Sequence, residues 1–157
     1  MSDNILTRAV LAFILLPGII AIGLPLLIGY IDPWDKPFFP PGIIIVFIGI
    51  ILLIWCIRDF YVYGKGTLAP WNPPKELIVI GLYRFVRNPM YENVLLLVLG
   101  WGIFFLFINI ILYDIFLFIA FHIRVFRIEE PCLNKKFGKS WEVYKEKVSR
   151  WLPRRQP

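Results

Sequence analysis

Charge is what this chain has least of for its length. Only 18% of its 157 residues are Asp, Glu, Lys or Arg, while 59% are hydrophobic and the mean hydropathy is +0.70. Ordinary soluble domains carry about a quarter charged residues, so that class is excluded at the outset. Histidine is scarcer still. His122 stands alone near the end of an apolar run, with no Cys, His or carboxylate at metal-ligand spacing, and the two cysteines form no zinc pattern. Cys56 lies in an apolar run and Cys132 in a basic tail, which places them at different depths and excludes a disulfide framework. Internal repeats and low-complexity stretches are also absent.

What the chain does have is apolar residues in long blocks. Four segments stand out, at about Leu6 to Ile28, Pro41 to Ile57, Tyr91 to Phe107 and Ile110 to Phe126. A spanning helix needs roughly 20 such residues, so the length allows one compact bundle of about four. The expected fold is therefore all-α: a polytopic membrane helical bundle, a single domain over 1–157, with a C-terminal cytoplasmic amphipathic helical segment. The first run follows Met-Ser-Asp-Asn and shows no small-residue cleavage pattern, which reads as a retained span. Pro17, Gly18, Gly23 and Pro25 predict a kink within it. Only Ile108-Asn109 separates the last two runs, which predicts a tight antiparallel hairpin.

The net charge of +6 is unevenly placed. From Arg127 onward, nine Lys/Arg face four Glu, a difference of +5 that accounts for nearly all of it. Beside membrane spans, such a tail points to the cytoplasmic side and its anionic lipids and away from nucleic acid. The connection from Asp32 to Pro40 holds Lys36 with two Asp, whereas Arg58, Lys65, Lys75, Arg84 and Arg87 lie between the second and third runs. The positive-inside rule then puts both termini in the cytoplasm. The Gly- and Pro-rich stretch Gly64 to Pro74 is a loop. In the tail, Ile128, Leu133, Phe137, Trp141, Tyr144, Val148 and Trp151 recur at mostly helical steps, predicting an amphipathic segment split at Gly138 that could cover the loop as a lid.

Polar groups are costly in a bilayer and so point to function. Arg84 and Arg87 precede the third run and read, taken alone, as topology anchors. Glu129-Glu130 closes the fourth, where negative charge gains nothing from the helix macrodipole and needs a partner. The hairpin brings these two boundaries together, within reach of Arg84, Arg87 and Asn88. A structural ion pair and a ligand site both remain open on that argument. His122, Asp114 and Glu92 read as structural residues, and Gly64 with Gly66 is too short for a dinucleotide loop.

The spaced residues Gly81-x-Tyr83-x-x-x-Arg87-Asn88-Pro89-x-Tyr91, Gly100, Glu129-Glu130-x-x-Leu133-x-x-x-Phe137-Gly138-x-x-Trp141-x-x-Tyr144 and Trp151-Leu152-Pro153 resemble the isoprenylcysteine carboxyl methyltransferase family. Its bacterial and archaeal relatives are included, and phospholipid N-methyltransferases carry a related version. The resemblance covers 66–153. It implies an S-adenosylmethionine-dependent methyltransferase of a prokaryotic inner or plasma membrane, acting on a lipid-like or prenylated small-molecule acceptor. Carried over by position, the cofactor contacts fall on Lys75, Glu76, Leu77, Ile78, Tyr83, Asn88, Pro89, Met90, Tyr91 and Glu129. Arg87, Arg124 and Arg127 fall on the substrate side, Glu130 falls where it could orient the acceptor or act as a base, and no metal is implied. Methyl transfer from a sulfonium is an in-line displacement, for which positioning and desolvation supply much of the acceleration.

Three positions depart from the family pattern. Asn88 stands where the eukaryotic enzymes typically have His and cannot titrate near neutrality. Val125 occupies the place of an Arg ahead of the Glu pair, and Pro131 directly after that pair should kink or restart the helix. Two other functions compete. The stretch Lys136 to Tyr144 also resembles the end of intramembrane sterol reductases, which use a nicotinamide cofactor, and a non-enzymatic membrane scaffold would explain the charge asymmetry but not the spaced polar motif.

Overall fold

The computed structural model describes residues 14–31, 38–64 and 76–153. The start of the first run, the Asp32–Pro37 end of its connection and most of the Gly64–Pro74 loop lie outside them. Among the described residues every regular element is helical, and one isolated parallel bridge joins Val86 and Ser149.

The first helix starts as π-helical turns over Ile14–Gly23 and becomes regular in α1, Leu24–Ile31. The expected disturbance around Pro17 to Pro25 thus takes the form of a widened helix. The second helix, α2, runs over Pro41–Gly64, then a 3-10 turn covers Gly81–Arg84 and α3 spans Pro89–Phe105. Pro89 occupies the first turn of α3, where its missing N–H leaves no intrahelical bond unmade. Beyond it, α4 covers Ile108–Arg124, a π-turn Val125–Glu129, α5 Glu130–Phe137 and α6 Lys139–Lys147. The break between α5 and α6 falls at Gly138, at φ +50°, as the tail pattern predicts.

Among the described residues, two helices are long and apolar enough to cross a membrane: Pro41–Gly64, and the continuous helical stretch Ile108–Phe137. At 1.5 Å per residue α2 is about 36 Å long, more than the roughly 30 Å of a hydrocarbon core. Gly18–Ile31 and Pro89–Phe105 are apolar but shorter. Large apolar side chains face outward along α2 (Ile44, Phe47, Ile51, Ile54) and α4 (Leu112, Ile115, Phe116, Ile119), the inverse of a soluble surface.

The core forms where α3 lies between its neighbours. Val94, Leu97 and Val98 of α3 pack with Val46 and Leu53 of α2 and Ile110 and Leu117 of α4. The α2–α3 contact is the most extensive in the molecule and depends on small residues. A Cβ on Gly42 would lie 2.3 Å from the backbone nitrogen of Phe104, and one on Gly100 would lie 2.8 Å from Cγ2 of Val46. Only glycine allows helices this close without a shift of backbone.

The hairpin between α3 and α4 turns two residues earlier than the apolar runs suggest. Leu106, at φ 53°, returns its N–H to the carbonyls of Gly102 and Ile103, and α4 already begins at Ile108. This turn aligns the start of α3 with the end of α4, where Tyr91 meets Phe121 at a ring-centroid distance of 4.6 Å.

Candidate functional site

The π-turn ahead of Pro131 decides where the glutamate pair points. Proline has no N–H for the carbonyl four residues back, and its ring crowds that carbonyl. The helix widens instead over Val125–Glu129, with the N–H of Glu130 reaching back five residues to the carbonyl of Val125. The expected kink is therefore a π-bulge, a device frequent at functional sites. It presents the two carboxylates to different partners.

Glu130 is buried and held by two arginines. Nη1 of Arg87 donates to Oε1 at 2.7 Å, Nε of Arg150 donates to the same oxygen at 2.8 Å, and Nη2 of Arg150 donates to Oε2 at 2.8 Å. Each guanidinium also rests on an aromatic ring: Arg87 lies 5.7 Å from the centroid of Trp141, and Arg150 lies 5.3 Å from that of Phe126. Fork-like arginine pairing of this kind fixes a carboxylate in orientation as well as in charge.

Glu129 sits in a more open setting. Its Oε1 accepts from the hydroxyl of Tyr91 and, at 3.0 Å, from Nε of Arg124, whose side chain is half exposed. Among the described residues, Oε2 of Glu129 accepts no hydrogen bond. One oxygen is thus anchored while the other keeps its acceptor capacity.

The C-terminal segment closes the site. Val86 and Ser149 form the parallel bridge, the N–H of Arg87 donates to the carbonyl of Ser149 at 2.9 Å, and Nδ2 of Asn88 donates to the carbonyl of Arg150 at 3.2 Å. Nε1 of Trp151 donates to Nδ1 of His122 at 3.0 Å, tying the same segment to α4. The tail helix α6 packs inward through Trp141, Tyr144 and Val148 against Leu77, Leu133 and Phe137. The hydroxyl of Tyr144 donates to the carbonyl of Tyr83 at 2.7 Å. Burial raises the pKa of the Tyr83 hydroxyl well above its usual value, and Cys56 and Tyr144 add to the rise. Burial does the same to Tyr144, opposed by the nearby charge of Arg87.

The structure brings together Arg87, Asn88, Tyr91, Arg124, Glu129 and Glu130. Pro89 is buried at the start of α3, and Met90 packs between the two core clusters. Ile78 and Tyr83 are buried with Cys56 against α2, Leu77 packs under α6, and Glu76 is exposed. Arg84 does not join the glutamates and is exposed, as is Arg127. Val125, in the place of the family Arg, is fully buried. Lys75 lies outside the described residues. Glu92 and Asp114 each keep a buried oxygen without a hydrogen bond among the described residues, and neither belongs to the cluster. Arg150 is the member that sequence reasoning missed; its signal was its place between Ser149 and the Trp151-Leu152-Pro153 end motif.

Among the described residues, helices able to cross a membrane stand beside a polar cluster where α3 begins and α4 ends, and polar groups in such a setting point to function. The phospholipid methyltransferase family model matches residues 39–140, from the start of α2 into α6, and the chain belongs to that family. It is a membrane methyltransferase, and the match does not favour the nicotinamide-dependent reductase. No curated protein and no solved structure matches the chain.

Proposed function

We propose that this protein transfers a methyl group from S-adenosylmethionine to a lipophilic acceptor at the cytoplasmic membrane face, as in the isoprenylcysteine carboxyl methyltransferases. In this reading the bundle has four spans, the two shorter apolar helices joining the two long ones, and both termini are cytoplasmic. The positive charge beside Arg84, Arg87 and the tail supports that orientation.

The observation that carries the cofactor assignment is Glu129, a half-buried carboxylate anchored through one oxygen by Tyr91 and Arg124, with the other able to accept. That donor set fits a vicinal pair of ribose hydroxyls. The rings of Tyr91 and Phe121 beside it provide aromatic surface suited to a sulfonium cation. Glu129, Tyr91 and the Asn88-Pro89-Met90 turn would hold the cofactor. Once bound, S-adenosylmethionine supplies an electrophilic methyl group on sulfur.

The protein's own part is positioning. Glu130 has both oxygens engaged by the guanidinium donors of Arg87 and Arg150, which tie the carboxylate to the arginines that frame the site. We therefore assign Glu130 as the organiser that fixes Arg87 and the C-terminal strap, and not as a base. Asn88 orients the strap through the carbonyl of Arg150 and carries no titrating proton. The acceptor atom then has to arrive nucleophilic in its own right, as a carboxylate, a thiolate or an unprotonated amine does.

Calorimetry on the detergent-solubilised full chain with S-adenosylmethionine and its demethylated product tests this. Binding is expected in the wild type and in Asp114→Ala and is expected to be lost in Glu129→Ala. Absence of heat with either compound would overturn the reading, and so would loss of binding in a folded Asp114→Ala.

A further inference from the structure

A second recessed surface lies on the outer edge of α6, apart from the glutamate cluster. It is a cleft of about 690 Å³, open along one side, between the extended segment before the 3-10 turn and α6. That size falls within the range of small-molecule sites. Its polar lining comes from Arg84, Lys139 and Lys147 with Ser140, and its apolar lining includes Val79, Val143 and Leu77, the last being one of the positions that the family resemblance gives to the cofactor. Among the described residues, none that lines it is acidic.

Its three cations do not serve the fold. All three are exposed, and among the described residues none forms an ion pair or a hydrogen bond. Lys139 is the first residue of α6, where positive charge opposes the helix macrodipole. An anion seated beside it would offset both the dipole and the mutual repulsion of the three side chains. A sulfonium cofactor, being cationic at its reacting centre, is poorly suited to such a rim.

The apolar half of the lining identifies the kind of anion. Val79 and Val143 are 42% and 47% exposed within a cleft that is otherwise cationic. Phe85, next to Arg84, is 60% exposed. A cationic rim beside open apolar surface suits a molecule with an anionic head and a hydrocarbon body. We propose that this cleft binds the phosphate headgroup of an anionic membrane lipid, at a site separate from the methyl-transfer cluster. Trp141 and Tyr144 turn inward from the same helix to support Arg87 and Tyr83, so lipid bound here would steady the wall behind the glutamate site.

Calorimetry without any sulfonium compound isolates this site from the methyl-transfer reading. Dihexanoyl phosphatidylglycerol, dihexanoyl phosphatidylcholine and inorganic phosphate are titrated separately into the detergent-solubilised full chain. The anionic lipid is expected to bind and the zwitterionic one to bind at least tenfold more weakly. Each cation near an anionic headgroup is worth roughly a fivefold change in affinity, so R84Q/K139Q/K147Q should bind about a hundredfold more weakly. K135Q/K136Q/K145Q, with the same charge change elsewhere in the tail, should bind as the wild type does. If the triple variant unfolds, K139Q and K147Q taken singly should each lose about fivefold. Equal losses in both triples would show diffuse attraction and overturn the site. Equal affinity for both lipids would also overturn it, and inorganic phosphate binding as tightly as the lipid, with the same dependence on the three residues, would overturn the lipid assignment.

Discussion

Replacing Arg150 by Met tests whether the glutamate cluster is one cooperative unit. The substitution keeps an unbranched side chain but removes two charge-assisted bonds to Glu130, both 2.8 Å, and the guanidinium over Phe126. Such bonds are worth about 1.5–3 kcal/mol each. The Arg150 side chain is 23% exposed and Glu130 keeps its 2.7 Å bond to Arg87, so the low end applies and the total loss should be about 3 kcal/mol. For a chain of this length that lowers the apparent melting temperature by roughly 6–12 °C. Glu130→Gln should cost a similar amount, because an amide nitrogen then faces two guanidinium groups.

The double variant decides the matter. If the residues act together, Arg150→Met combined with Glu130→Gln should cost only about 4 kcal/mol, leaving a coupling of about 2 kcal/mol. Melting followed by tryptophan fluorescence in detergent reads the stability, and calorimetry with the demethylated cofactor product reads the site. Both single variants should weaken that binding, because Arg87 and Asn88 take their orientation from the strap that carries Arg150. Additivity within about 0.5 kcal/mol would refute the cooperative unit. Glu130→Gln that abolished turnover with stability and cofactor affinity intact, and with loss of the acid limb of the pH–rate profile, would make Glu130 a base.

Gly42→Ala would press a Cβ into the backbone of Phe104 and should destabilise by about 3 kcal/mol, measured as a lower melting temperature; an unchanged value would mean that α2 and α3 pack less closely than described. Leu106→Gly relieves a left-handed residue and should raise stability by up to about 1 kcal/mol, checked in the same assay. Tyr83 and Tyr144 have hydroxyl pKa values raised by burial, so folding favours their neutral forms. The stability they contribute is complete below the unfolded value of about 10 and falls as pH rises beyond it toward the folded values, so melting temperature should drop above pH 10, and less steeply in Tyr144→Phe.

Much of this arrangement was legible because it is encoded locally. The apolar runs located the helices, Gly138 marked the break between α5 and α6, and the short gap near Ile108 returned Glu129-Glu130 to Arg87. The exact turn was not legible, since Leu106 and Phe107 carry no turn chemistry and Leu106 takes a conformation that usually selects glycine. Arg84 was expected beside Arg87, but the 3-10 turn ends at Arg84 and Val86 pairs with Ser149, so the two side chains part company. Arg150 was hidden among nine tail cations. Its partner lies twenty residues back and its strap meets Asn88 across sixty-two, a closure that no local periodicity reports.

That strap also sets the order in which the protein can become competent. The helices α2 to α4, with their apolar contacts, precede it in the chain and can enter a bilayer and pair before residue 149 has been synthesised. Arg87 and Asn88 acquire their last backbone partners only when Ser149 and Arg150 arrive, and Glu130 gains its second guanidinium at the same moment. Pairing of the helices and closure of the strap over the proposed site are therefore separable steps.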